Sequence, residues 1–163
     1  MIRLLAFIIL LGISSLLPAQ VFEIDCEVLQ SLPELRENGF SEVRTLHRIN
    51  ETTDMTNLDM VLNLEPLHLY HGPNGQDYLM SDRMLYQDRG DALECYESFV
   101  DQMTACLGDG WTYSNLPYDG SPRIRIFRAE FHPEDGDPSK GMMLVHVRET
   151  LSSKEYYVHF SYE

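Results

Sequence analysis

A chain of 163 residues with 26 Asp+Glu against 12 Lys+Arg, and a net charge of −14, is long enough for one domain around one core. Such a field repels nucleic acid and anionic lipid surfaces and favours cationic partners or divalent ions. The plainer reading of the same charge is an acidic surface that keeps an exported protein in solution.

The first twenty residues, MIRLLAFIILLGISSLLPAQ, have the form of an export signal. Arg3 gives the positive start, residues 4–13 form an apolar run broken only by Gly12, and Pro18 and Ala19 lead to a small-residue cleavage point. The run is short for a membrane span, which needs about 20 apolar residues. Residues 1–19 are therefore expected to be a signal peptide, and residues 20–163 a single acidic α+β domain that is secreted or periplasmic. Cleavage leaves 11 Lys+Arg against 26 Asp+Glu, a net charge of −15. No second long apolar segment follows, so no membrane span is expected in the mature chain, and its oligomeric state is left open.

The mature chain opens with VFEIDCEVLQSLPELRENGF. Ser31 and Glu34 have capping-box spacing, Pro33 suits a first turn and Gly39 a helix end, which predicts a short helix over 32–38 with another turn near Cys26. Residues 43–49 read as a strand and the polar stretch 50–57 as a loop containing the sequon Asn50-Glu51-Thr52. Residues 58–64 and 67–70 alternate as strands, the His71-Gly72-Pro73-Asn74-Gly75-Gln76 stretch is a turn, and 77–80 and 83–87 continue as short strands.

The clearest element is a helix over 91–107. Ala92, Cys95, Tyr96, Phe99, Met103, Cys106 and Leu107 recur at three- and four-residue steps, the period of one helical face. Gly108-Asp109-Gly110 stops it. After a loop over 114–122 the period becomes two, and 123–131, 142–150 and 156–162 read as a three-stranded antiparallel meander. The expected fold is α+β: one long amphipathic helix packed on an antiparallel sheet of about five or six strands.

Three cysteines, Cys26, Cys95 and Cys106, follow the signal, and an oxidising compartment favours pairing. On one helix Cys95 and Cys106 stand about 16 Å apart, beyond the roughly 7 Å that a disulfide spans. Cys26 therefore pairs with Cys95 or Cys106, and the other remains a buried thiol.

No nucleophile elbow, phosphate loop or dinucleotide fingerprint is present, so neither catalysis nor a cofactor is expected. His68 and His71 lie at a strand end and turn, where their spacing points them apart, and no metal site is assigned to them. His132, His146 and His159 fall one to each C-terminal strand region, and neighbouring strands can bring two together. The turn containing Glu134, Asp135 and Asp137 offers carboxylates to calcium but lacks the order of a calcium loop, so a solvated hairpin tip is the plainer expectation. Glu94, Glu97 and Asp101 run along one side of the long helix.

These features point to an exported acidic interaction module without catalysis of its own. Its expected partner is a cationic protein or peptide, bound through Glu94, Glu97, Asp101, Glu134, Asp135 and Asp137. The alternative is a small-ligand or lipid carrier with an apolar pocket between helix and sheet. Met55, Met60, Met80, Met84, Met103, Met142 and Met143 would then supply an adaptable lining. A hydrolase comes third and needs His146 or His159 to meet a carboxylate or Cys106.

Overall fold

The computed structural model describes residues 22–62, 64–117, 126–150 and 153–163. The expected signal peptide with its cleavage point, residues 118–122 of the expected loop, the strand start at 123–125 and residues 151–152 of the last turn lie outside the described residues.

In chain order the elements are β1 (Glu23–Ile24), α1 (Cys26–Glu37), β2 (Arg44–Asn50), β3 (Thr53–Thr56), β4 (Val61–Leu62), β5 (His68–His71), β6 (Asp77–Met80) and β7 (Met84–Tyr86). They continue with α2 (Arg89–Leu107), β8 (Trp111–Pro117), β9 (Ile126–Pro133), β10 (Met143–Glu149) and β11 (Tyr156–Tyr162). The protein is α+β, with its long helix against a nine-stranded antiparallel sheet rather than the expected five or six strands. The order is β2-β3-β5-β6-β11-β10-β9-β8, with β7 also pairing β11, while β1 and β4 form a separate pair.

Two segments read as loops account for part of the larger sheet. Thr53, Asp54 and Thr56 of β3 are polar yet buried, and for Asp54 and Thr56 side-chain hydrogen bonds replace the apolar contacts that normally fill a strand. Thr56 Oγ1 donates to the Leu67 carbonyl, and Asp54 accepts from the neighbouring strands. β8 is an edge strand with exposed side chains from Thr112 to Leu116, so it carries no strong apolar alternation. Conversely, of the strand expected over 58–64, in which residue 63 lies outside the described residues, only Val61–Leu62 pairs among those described, and it joins β1.

Helix α1 starts earlier than expected, because Asp25 rather than Ser31 caps it. Asp25 Oδ1 accepts from the amides of Glu27 and Val28 at 2.9 and 3.1 Å. Ser31 lies inside the helix and donates to the Val28 carbonyl, and Pro33 also falls in the interior. In α2, Asp88 accepts from the Gly90 amide and Gly108 ends the helix at φ 60°. Its buried stripe is Ala92, Cys95, Tyr96, Phe99, Val100, Met103 and Cys106. Fully buried Phe99 lies between Phe22 at 5.2 Å and Phe160 of β11 at 6.3 Å, which fixes the helix over the sheet centre.

Strand β11 is flanked on one side by β10 and on the other by β6 and β7. Met80 faces Ser161 and Met84 faces Val158, so one strand carries an extra residue over this stretch, a bulge. Ser81 bridges it: its amide donates to the Phe160 carbonyl, and its hydroxyl accepts from the Phe160 amide at 2.9 Å. Ser81→Ala leaves that buried amide without a partner. The expected loss is about 1–3 kcal/mol of unfolding free energy, measured by urea denaturation; an unchanged midpoint would remove the bridging role.

Candidate functional site

The sequence-predicted acidic residues fall into two groups. On α2, Asp91, Glu94, Glu97 and Asp101 are all exposed, and α1 beside it exposes Glu27, Glu34 and Glu37. The two arginines of these helices turn to other elements. Arg36 donates to the carbonyls of Pro138 and Ser139 at 3.2 and 3.3 Å, and Arg89 lies over the Phe127 ring. The outward face of the helical layer is therefore strongly negative, and three of the predicted residues, Glu94, Glu97 and Asp101, sit together on it.

Glu134, Asp135 and Asp137 lie on the turn that packs against α1 through Arg36; Asp135 and Asp137 are used by that turn, whereas Glu134 is exposed. Asp135 pairs with Lys140 and accepts from the Asp137 amide, while Asp137 caps a short helical turn by accepting from the Ser139 amide at 2.9 Å. These bonds hold both carboxyls below their ordinary range, with Lys140 the main cause for Asp135 and Ser139 for Asp137. Among the described residues no three His, Cys, Asp or Glu side chains converge as a metal site requires.

Cys26, the first residue of α1, and Cys106, in the last turn of α2, form a disulfide with their Cα atoms 5.1 Å apart. Of the two expected partners for Cys26, this selects Cys106. Cys95 is a buried free thiol, raised in pKa by desolvation. Cys106 is bonded to Cys26, and among the described residues neither ring nitrogen of His159 nor Nδ1 of His146 bonds a carboxylate, so the contacts a hydrolase would need are not seen there.

His68 and His71 belong to different contacts, His68 facing Asp82 at 3.6 Å. His71 sits between two carboxylates, Nδ1 at 2.8 Å from Asp77 and Nε2 at 3.0 Å from Asp54. Asp77 first and Asp54 second raise its pKa, because the imidazolium donates at both nitrogens. Asp54 is also bound by Arg44 and Arg48 of β2, at 2.7 and 3.3 Å, and its pKa is lowered chiefly by His71. This network is not legible in the sequence, because residue 54 falls in the polar stretch 50–57 that reads as a loop.

The sheet face away from the helices carries a third cluster. Val145, Val147, Val158 and Phe160 belong to the core under α2, so the alternating His146, Arg148, Tyr157 and His159 lie on the other face. The β10–β11 register puts His146 opposite His159, with ring centroids 4.9 Å apart, and both are buried. Arg128 of β9 lies opposite His146 on its other side and pairs with Glu130, while Arg83 covers the Tyr157 ring at 4.8 Å. Burial, reinforced by Arg148 and Arg128, pushes His146 down to about 4. Burial, then His146, Arg148 and Arg83, pushes His159 down to about 3. The sequence signal for the pair was available: a hairpin symmetric about 152–153 places 146 across from 159. His132 does not join them; it is exposed near Glu130.

A cleft of about 670 Å³ opens between the 72–78 hairpin and the 132–142 turn, with Arg36, Asn74, Tyr78, His132 and Met142 in its wall. It is partly polar and touches the helices through Arg36 of α1, whereas the space between α2 and the sheet is filled by Phe22, Phe99 and Phe160. No helix of the described residues is long and apolar enough to cross a membrane.

The chain matches no family model, no curated protein and no solved structure in comparisons with each.

Proposed function

We propose that the protein is an exported interaction module whose acidic helical layer binds a cationic protein or peptide, without catalysis of its own. One observation carries the reading: all seven carboxylates on α1 and α2 are exposed, while both arginines of these helices are folded onto neighbouring elements. A uniformly solubilising charge needs no such segregation, whereas a docking face of one sign steers and holds a partner of the other. The Cys26 to Cys106 disulfide, compatible with an oxidising compartment, ties the two acidic helices into one rigid surface.

The expected result is capture of a basic partner from the extracellular or envelope fraction at low salt and its release at high salt. The triple substitution Glu94→Gln, Glu97→Gln, Asp101→Asn should weaken capture at least about tenfold, whereas Glu134→Gln, on the turn, should change it little. Binding indifferent to salt and to the triple substitution would defeat the reading. The cleft beside Tyr78 and Met142 supports a second reading, a carrier of a small polar ligand held there rather than between helix and sheet. Native mass spectrometry of the isolated protein tests it, because a carrier retains its ligand and a bare mass argues against one.

A further inference from the structure

Buried polar atoms are almost always hydrogen-bonded, and each exception calls for a cause. Among the described residues five buried side-chain nitrogen or oxygen atoms have no partner, and four belong to one cluster: His146 Nδ1, Arg148 Nε, and Nδ1 and Nε2 of His159. The two histidines are more than nine-tenths buried and stand side by side on β10 and β11. We propose that this face of the sheet is a binding site for a small oxyanion, a carboxylate or phosphate group, held by His146, Arg148 and His159 with Arg83 and Arg128 at the rim.

The donor inventory selects the ligand. Arg148 Nε only donates, and each neutral imidazole offers one N–H and gains a second on protonation, so the vacant positions call for an acceptor-rich group. The local charge selects it again. Arg128 is paired with Glu130, but Arg83 and Arg148 have no carboxylate within salt-bridge distance among the described residues. These guanidiniums disfavour a divalent cation on the imidazoles and favour an anion, which an arginine fork binds with short charge-assisted bonds. Without the anion, burial and the arginines keep both rings neutral; with it, the repulsion that suppresses their protonation is offset. Arg83 is exposed and the Arg128 side chain is 40% exposed, so displacement of these two side chains gives the ligand its way in. The site lies on the opposite face of the sheet from the acidic helices and does not depend on the partner proposed for them.

The test is a titration of the disulfide-intact chain at pH 7 with sodium phosphate and, separately, sodium acetate, against sodium chloride at matched ionic strength, following histidine ring ¹⁵N signals. A saturable shift confined to His146 and His159, with His47 and His132 unmoved, is expected. Response to phosphate alone assigns a phosphate ligand, and response to acetate alone a carboxylate. Arg148→Lys, which keeps the charge but removes Nε, should bind about tenfold more weakly, and Arg83→Gln at the exposed rim should weaken binding without unfolding risk. An equal response to chloride, no saturable shift with either oxyanion, or a ring shift produced by zinc instead would overturn the proposal.

Discussion

Replacing Cys26 or Cys106 by serine should remove about 4.5 kcal/mol of stability, the chain-entropy value for a crosslink closing a loop of 80 residues. Set against the 5–15 kcal/mol typical of a whole domain, this is the largest single loss expected. The structure gives the bond an unusual amount to hold. It joins the start of α1 to the end of α2, and the same junction carries Gln102 bonds to Ile24 and Phe22 and a Gln30 bond to the Cys106 carbonyl. The intervening chain contains β2 to β7, so opening the bond frees the N-terminal segment from the long helix. In urea the midpoint should fall by about 2 M for a slope near 2 kcal/mol/M. Cys95→Ala, which alters a buried thiol outside the bond, should cost only about 1 kcal/mol. Equal losses for Cys26→Ser and Cys95→Ala would contradict this assignment of the crosslink.

The second large effect is acid lability. His146 and His159 are buried neutral, with folded pKa values pushed down to about 4 and about 3, below the ordinary 6.5. Between those limits the unfolded chain binds more protons than the folded one, so stability falls as the pH falls. From pH 7 to pH 5 each histidine should remove about 2 kcal/mol. His71 works in the opposite sense: its raised pKa contributes stability that is present below about 6.5 and lost as the pH rises through its folded value. Asp54, Asp135 and Asp137, with lowered pKa values, contribute stability present above the ordinary carboxylate range and lost only as the pH falls through their folded values. Urea unfolding of wild type and His159→Phe at pH 7 and pH 5, in a buffer free of oxyanions, isolates the buried pair. The variant should lose about 2 kcal/mol less than wild type over that interval, and identical pH profiles would show that His159 is not buried neutral.

Where the physics is periodic, the fold could be read from the residues. The 3.6-residue stripe from Ala92 to Cys106 marked α2, and the alternation of Tyr156, Val158, Phe160 and Tyr162 marked β11. The elements missed are those whose stabilisation is not apolar. β3 reads as a loop because its buried residues are polar, with Asp54 and Thr56 held by side-chain hydrogen bonds, and β8 because an edge strand exposes most of its side chains. The continuity of α1 from Cys26 is only partly legible: a turn is expected near Cys26, but Asp25 as a cap is not evident because it precedes a cysteine rather than an obvious apolar run. The acidic residues of α2 were legible as a ridge from their helical spacing alone. The His146 and His159 pair was legible as a possibility of strand register. Its arginine surroundings were not, since Arg83, Arg128 and Arg148 come from three separate segments and are hidden within an acidic composition. Net charge describes the whole molecule, whereas the carboxylates of α1 and α2 and the cluster of Arg83, Arg128 and Arg148 lie on different faces of the domain.

That difference is the centre of the account, and a backbone-amide footprint of the captured basic partner tests it most directly. Titrating the partner into ¹⁵N-labelled protein at low salt should shift amides of α1 and α2 around Glu34, Glu94, Glu97 and Asp101, leave β10 and β11 unmoved, and lose the effect in 0.5 M salt, where the screening length is about 4 Å. A footprint centred on the sheet face, or one that survives high salt unchanged, would contradict the acidic helical layer as the binding surface.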